Sequence, residues 1–198
     1  MAQISASLVK ELREATGVGM MECKKALADA DGDKDKAIKH LRERGIAIAA
    51  KKSDRAANEG LVASYIHLGG KVGVLVEVNC ETDFVARNEQ FKAFVKDITL
   101  HIAASSPKYV KREEVPAEVL AAEREIFAKQ AEGKPEHVID KIVNGKIDKY
   151  FQQCCLLEQP FVKDQDKTVN DLLLETIQEI KENIVIRRFT RYQIGEAL

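Results

Sequence analysis

The alternation of residue types between Val72 and Cys80 constrains the fold of this chain more than any other feature. Every second position is apolar, at Val72, Val74, Val76, Val78 and Cys80. A period of two predicts a β-strand with one buried face. A second strand-like run, Leu61–Leu68, precedes it, and the Gly69-Gly70 pair between the runs predicts a tight hairpin. We therefore expect a sheet whose buried face is covered by other elements.

Residues 1–50 carry helical spacing instead. The pattern predicts three short helices, with these residues in turn: Leu8, Leu12 and Ala15; Met20, Met21, Lys24, Ala26 and Leu27; Ala37, Ile38 and Leu41. Ala37, Ile38 and Leu41 should face inward, and Gly45 should lie just past the third helix. Helices of about ten residues are marginal alone. We expect them to pack as one three-helix module, followed by a charged linker at 51–59.

Residues 60–198 are predicted to form an α+β core, with helices on one face of a largely antiparallel sheet. After the hairpin, Asn88 is expected to cap an amphipathic helix that carries Phe91, Phe94, Val95, Ile98 and Ile102. A helical insertion is predicted at about 108–150. The apolar stretches 150–162 and 184–194 are predicted strands, with Ile184, Ile186 and Ile194 on one face. Between them we expect a helix that ends at Asn183.

The bulk composition narrows the function. The formal net charge is −1, whereas a duplex-binding protein usually has a strong basic excess. No signal peptide is recognisable, and no apolar run approaches the roughly 18 residues of a membrane helix. We therefore expect a cytoplasmic protein without a direct nucleic-acid or membrane partner. Its four cysteines, Cys23, Cys80, Cys154 and Cys155, are expected to be reduced thiols.

Motifs for catalysis or cofactor binding are missing. The sequence has no phosphate-binding glycine loop, no dinucleotide fingerprint and no nucleophile elbow. Its four histidines stand apart, and the acidic run that starts at Asp29 has His40 where a calcium loop needs its twelfth-position glutamate. These observations favour a binding protein over an enzyme, with no cofactor and no resident metal.

One connection combines an acidic and an aromatic side chain. The segment Cys80–Asn88 follows the second strand and contains Asp83 next to Phe84. Loops at strand ends often present functional side chains. An alternative stays open, because Phe84 lies seven residues before Phe91 and could extend the apolar stripe of the next helix, with Thr82 or Asp83 as its cap.

Three blocks of sequence resemble the elongation factor Ts family. They are Leu8–Arg13 with Thr16–Leu27, continued by Gly32-Asp33 and Leu41–Gly45; Glu77–Asn88; and Leu157–Asp164. They occur in the order found in that family and extend over nearly the whole chain. The resemblance implies a guanine-nucleotide exchange factor that binds elongation factor Tu in its GDP-bound and nucleotide-free states.

The resemblance also implies site residues. Thr82, Asp83, Phe84 and Val85 correspond to the wedge that dislodges Mg²⁺ from the GTPase. The three-helix module resembles ubiquitin-associated domains, and Val18, Met20, Met21 and Lys24 correspond to its contacts with elongation factor Tu. For the methionines, packing in the core is an open alternative. Only one core subdomain is recognisable, so the resemblance implies the short form of the family and a homodimer joined through the sheets, with 150–162 and 184–194 as candidate edges.

Two further alternatives come from the residues themselves. The helical module could bind other peptides or ubiquitin-like partners, although this does not account for the segment Thr82–Val85. Arg187, Arg188 and Arg191 on the last strand could form a basic patch for RNA.

Overall fold

The chain folds into helices and antiparallel sheet, which confirms the predicted α+β class. The computed structural model describes residues 4–16, 18–67 and 69–196, and only the backbone at 136 and 137. Gly17 and Leu68, which belong to predicted elements or motifs, lie outside the described residues. The chain divides into two compact units, one formed by 1–63, 76–97 and 170–187 and the other by 64–75, 98–169 and 188–198.

The helices and strands follow one another through the whole chain. The helices are α1 (Ala6–Thr16), α2 (Met20–Asp29), α3 (Lys34–Lys52), α4 (Asp83–Ala86), α5 (Glu89–Ser105), α6 (Ala117–Gln130), α7 (Glu136–Cys154) and α8 (Val169–Ile180). The strands are β1 (Glu59–Ile66), β2 (Val72–Cys80), β3 (Pro160–Phe161), β4 (Asp164–Thr168) and β5 (Val185–Gln193). One sheet has the order β1-β2-β5, and β3 pairs antiparallel with β4. None of the helices in these described ranges is long and apolar enough to cross a membrane.

The predicted hairpin and the alternation along β2 are confirmed. Val74, Val76, Val78 and Cys80 are each exposed by 3% or less, whereas Leu75 between them is exposed by 47%. The turn is closed by the amide of His67, which donates to the carbonyl of Val72 at 2.9 Å. The alternation therefore determines which face of β2 is buried.

Gly60, near the start of β1, lies unusually close to the backbone of β2. Its φ is +143°, and a Cβ placed there would lie 2.1 Å from the carbonyl oxygen of Val78. Because no other residue type can fit at that distance, the position requires glycine.

Helices α1, α2 and α3 share one apolar core. Its buried members are Val9, Leu12, Val18, Cys23, Ala26, Leu27, Ala30, Ala37 and Leu41. Ala15 and Ile38 were expected on the inner faces and are instead exposed. The likeness of these helices to a ubiquitin-associated module, and the boundaries 1–50, 51–59 and 60–198, remain predictions.

Helix α3 is longer than the sequence indicated. It was expected to end before Gly45, but it continues to Lys52, into the predicted linker. Gly45 is buried within the helix, and a Cβ there would lie 3.2 Å from the side-chain oxygen of Gln178 on α8. The glycine therefore permits a close approach of two helices and does not end one.

The prediction of a strand at 150–162 is wrong. Residues up to Cys154 belong to α7, and only Pro160–Phe161 are extended within this stretch. Val143, Ile147, Phe151 and Cys154 fall at helical spacing and share a buried core with Val115 on the preceding connection. This helical stripe continues through the aromatic residues that suggested a strand.

Of the other predicted helix and strand boundaries, one is confirmed and two are corrected. The side chain of Asn88 accepts a hydrogen bond from the amide of Gln90 at 2.7 Å, as expected for the cap of α5. Helix α8 ends at Ile180 and not at Asn183, because Lys181 has a left-handed backbone with φ of +67°. Ile184 and Ile186 are buried, but Ile194 lies beyond β5 and is exposed.

The predicted insertion contains helices α6 and α7, which pack against each other. Pro116 and Pro135 directly precede them, and proline favours the start of a helix because its φ is already helical and it has no amide hydrogen to satisfy. At their base, Arg112 pairs with Asp148 at 2.9 Å and with Glu158, and its guanidinium lies 4.5 Å from the centre of the Phe151 ring. These charge-assisted contacts, above all the one with Glu158, raise the pKa of Arg112.

A buried histidine holds the segment before β4. His101 is fully buried; its Nδ1 accepts from the amide of Val162 at 3.2 Å, and its Nε2 lies 2.9 Å from the side-chain oxygen of Gln159. Both contacts require a neutral ring with its proton on Nε2. Burial lowers the pKa of His101, which is consistent with this assignment.

We expect this histidine to make stability depend on pH. Below about pH 6.5, His101 is protonated in the unfolded chain but stays neutral in the folded chain. The contribution of His101 to the free energy of unfolding should therefore be constant above that pH. It should decrease as the pH falls towards the lowered pKa of the folded state, by at most about 1.4 kcal/mol per pH unit. Urea unfolding between pH 5 and pH 8 measures it. His101→Gln should lose this component of the slope, whereas His67→Gln, at an exposed position, should retain it; an unchanged slope in His101→Gln would contradict the assignment.

Candidate functional site

The candidate site is the connection that leaves β2 at its buried end. After Cys80, the chain passes through Glu81 and Thr82 into α4, a single helical turn. Thr82 is the cap of that turn, since its hydroxyl accepts from the amide of Val85 at 3.3 Å. We call the residues Thr82–Val85 the tip.

The tip presents an aromatic ring to solvent. Phe84 is 80% exposed, whereas Ala86 on the same turn is buried. Asp83 is half-buried and pairs with Arg87 at 3.0 Å. Phe91 on α5 is fully buried, so the alternative in which Phe84 extends the same apolar stripe is wrong. One part of that alternative is confirmed, because Thr82 is indeed a helix cap.

A carboxylate from a distant part of the chain holds the base of the tip. Glu182 accepts hydrogen bonds from the amides of Glu81 and Thr82, both at 3.0 Å, and from the hydroxyl of Thr82 at 2.6 Å. Its two oxygens thus bind three donors. Because the Thr82 proton is directed at Glu182, its oxygen is left to accept from Val85.

The contact is reciprocal. The carboxylate of Glu81 accepts from the amide of Asn183 at 2.6 Å, and the side chain of Asn183 donates to the carbonyl of Arg55 at 2.8 Å. The guanidinium of Arg55 lies 3.5 Å from Glu81. We call Glu81, Thr82, Glu182 and Asn183 the carboxylate clasp, because each segment provides a carboxylate to the backbone of the other.

Cys80 completes the base of the tip. Its thiol donates to the carbonyl of Thr82 at 3.2 Å. Burial, with a further contribution from the negative charge of Glu182, raises the pKa of Cys80 to about 11. The sulfur is therefore a protonated thiol at neutral pH, with a structural and not a nucleophilic character.

The other candidate contacts lie on and beside α2. Met20 and Met21 are 54% and 75% exposed, and Lys24 is exposed as well. The alternative that the methionines belong to the core is thus wrong. Val18 is buried among α1, α2 and α3, so a contact at this residue would have to use its backbone.

Several other polar groups that the sequence singled out have structural partners. No cluster of metal-binding side chains occurs in the part of the chain that the structure describes. All four cysteines are free and buried. Asp33, within the acidic run, caps α3 by accepting from the amide of Lys36 at 3.0 Å. Arg191 donates to the carbonyl of Ala103 and to the carboxylate of Glu196, so part of its charge is balanced within the chain.

Two of the clasp residues, Glu182 and Asn183, were not predicted from the sequence as site residues. Glu182 and Asn183 lie about one hundred positions from the tip, and no local pattern connects them with it. An acidic residue two positions after the end of an amphipathic helix is a weak local signal, because solvated helix ends have the same appearance.

Comparisons with known proteins agree with the three blocks of resemblance. The family model described as Elongation factor TS matches residues 3–196. A protein of Alkaliphilus oremlandii named Elongation factor Ts is 63% identical over 197 residues, covering 98% of this chain and 91% of that protein. Proteins of the same name from Thermoanaerobacter sp. and Geobacter metallireducens are 61% and 60% identical, and the matches cover 97% and 91% of their lengths.

The hydroxyl of Thr82 should be essential for the stability of the tip. Thr82→Val keeps the shape but removes the donor to Glu182 and the acceptor for Val85, so we expect a loss of about 1–2 kcal/mol. Thr82→Ser keeps both functions and should lose less than about 0.5 kcal/mol. Urea unfolding followed by circular dichroism measures both; equal losses in the two variants would refute the role of the hydroxyl.

Proposed function

The chain belongs to the elongation factor Ts family of translation elongation factors, and from this premise we propose that it is the guanine-nucleotide exchange factor of elongation factor Tu. In this proposal it binds the GDP complex, dislodges Mg²⁺ and GDP, and leaves the nucleotide-free GTPase ready for GTP. It acts in the cytoplasm, as a binding partner and not as an enzyme, because no covalent bond is made or broken in the exchange.

A single observation carries the proposal: the exposed ring of Phe84 on a braced helical turn. A large apolar side chain in water is unfavourable, and its burial in a partner can contribute about 1.5–3 kcal/mol. Asp83 on the same turn adds a negative charge beside the ring. Such a pair is suited to enter a cleft between helices of a GTPase and to oppose the contacts that hold its metal ion.

Exchange then follows from linkage. A GTPase holds GDP through backbone amides and a Mg²⁺ ion. A partner that binds best to a GTPase with weakened nucleotide contacts reduces the affinity of the GTPase for the nucleotide. By linkage, the nucleotide reduces the affinity of the GTPase for the partner by the same factor. Each tenfold reduction requires about 1.4 kcal/mol of differential binding. Burial of one aromatic ring therefore accounts for about a tenfold to a hundredfold reduction.

We propose a second contact through α2. Met20 and Met21 are adjacent, exposed and flexible, and Lys24 lies one turn further along the same helix. Methionine side chains adapt well to partner surfaces. This contact would provide affinity for elongation factor Tu in both its GDP-bound and nucleotide-free states, while the tip would provide the preference for the state with weakened nucleotide contacts.

The test measures release of a fluorescent GDP analogue from elongation factor Tu. Wild-type protein should accelerate release, and Phe84→Ala should reduce the acceleration at least about tenfold because the buried ring is lost. Asp83→Ala should reduce it as well. Since Phe84 is exposed in the free protein, its removal should change unfolding stability by less than about 0.5 kcal/mol.

Ile126→Ala is the matched control. Ile126 on α6 is another exposed large apolar residue, and its truncation should leave the acceleration unchanged. If the wild-type chain at saturating concentration does not shorten the lifetime of bound GDP, the proposed function is wrong. If Phe84→Ala is as active as wild type, the role of the tip is wrong.

We also propose that the chain is a homodimer joined through its sheet. Ile66 on β1 and Leu75 on β2 are exposed by 66% and 47%, and exposed apolar strand residues often mark an interface. Of the two candidate edges, only the segment 184–194 contains a long strand, β5, which lies at an edge of the three-stranded sheet.

Ile66→Lys should weaken the dimer, because a charge would be buried at the interface. Analytical ultracentrifugation over a range of concentrations measures the change. Val62→Lys places the charge at another exposed position of β1 and tests the same expectation. A wild-type chain that sediments as a monomer at all concentrations would show that no such dimer forms.

A further inference from the structure

We propose that Glu182 is the positioning residue for Phe84, so that the exchange activity of the tip depends on a carboxylate about one hundred residues away in sequence. This inference rests on the proposed function and adds a residue outside the tip to its mechanism. The exposed ring makes the contact with the partner, and the clasp determines where that ring stands before the partner arrives.

The tip cannot hold its own conformation. Helix α4 has four residues, and one isolated helical turn is unstable in water because its nucleation cost exceeds the gain from its hydrogen bonds. Ala86 is the only buried residue of α4, so apolar burial contributes little. The orientation of the turn must therefore come from the bonds at its amino-terminal end.

Those bonds converge on Glu182. It binds the two amides that precede α4 and the hydroxyl that caps it, at 2.6–3.0 Å. Hydrogen bonds to a charged acceptor are stronger than neutral ones. The Thr82 hydroxyl transmits the restraint to Val85, directly after the ring of Phe84. One carboxylate thus fixes the entry and the first turn of the tip together.

Glu182 is itself held in place. The carbonyl of Lys181 accepts a hydrogen bond from the side chain of Lys52 at the end of α3, and Asn183 binds both Glu81 and the carbonyl of Arg55. The left-handed backbone of Lys181 turns the chain at this point. Because both neighbours of Glu182 are tied to other segments, the carboxylate acts as a fixed support for the tip. A fixed tip loses less conformational entropy on binding than a mobile one.

A double-mutant cycle tests the proposal with the full-length chain. The acceleration of fluorescent GDP release from elongation factor Tu is measured for wild type, Glu182→Ala, Phe84→Ala and the double variant. Glu182→Ala alone should reduce the acceleration on the order of tenfold, which corresponds to about 1.4 kcal/mol. In the Phe84→Ala background the same change should reduce it clearly less than in wild type, because only Asp83 then remains on the tip for Glu182 to position.

Two further variants separate positioning from general stability. Glu182→Gln keeps an oxygen for the amides and should restore most of the activity. Glu179→Ala removes an acidic side chain from α8 that accepts a hydrogen bond from Gln90 on α5, and it should leave the acceleration unchanged. If Glu182→Ala does not fold, Glu182→Asp takes its place in the cycle, since the shorter side chain cannot reach all three donors.

The outcomes distinguish this inference from the proposed function. Independent, multiplicative losses from Glu182→Ala and Phe84→Ala would overturn the positioning role, and so would full activity of Glu182→Ala. In either case the exchange function would stand, provided that wild type accelerates release. If wild type itself has no effect on GDP release, the proposed function fails and the positioning role fails with it.

Discussion

The buried face of β2 determines where the candidate site can begin. A strand whose side chains alternate between interior and solvent cannot shift by one residue without exposing its whole apolar set. Because Val74, Val76, Val78 and Cys80 are all buried, the register of β2 is strongly specified. The last interior position is Cys80, where β2 ends, and α4 begins three residues later at Asp83. The position of the tip is thus a consequence of core packing along the preceding strand.

The tip also depends on polar contacts between segments that are distant in sequence. A short helical turn at the surface has little apolar area to bury, so its order must come from hydrogen bonds that water does not easily replace. The clasp meets this need with two carboxylates, each bound to backbone amides of the opposite segment. This arrangement joins the end of β2 to the connection between α8 and β5. Proteins commonly combine stability with binding by presenting an exposed binding segment on a rigid scaffold.

The features of the fold that could be predicted are those that depend on residues close together in the sequence. The alternation along β2, the cap at Asn88 and the helical spacing in α5 were predictable, because each arises from a repeat or a side chain within a few residues. The contacts of Glu182 were not, since they join residues about one hundred positions apart. The exposure of Phe84 was expected from the family resemblance, but its spacing to Phe91 left a buried position open. The two errors differ in origin. Gly45 resembles a helix end unless its contact with the distant Gln178 is known. The stripe from Val143 to Cys154 is local, and the strand prediction failed because it did not follow this stripe into 150–162.

The close approach of Gly60 to Val78 bears on how this protein can change during evolution. At that point the spacing between two strands is set by main-chain atoms alone, so substitutions of neighbouring side chains do not alter it. Val78 lies only two residues before β2 ends. The strand spacing fixed at Gly60 therefore also fixes where the chain enters the candidate site. Any side chain at position 60 would therefore force the two strands apart close to the segment that carries the aromatic ring, so this position tolerates no replacement of its glycine.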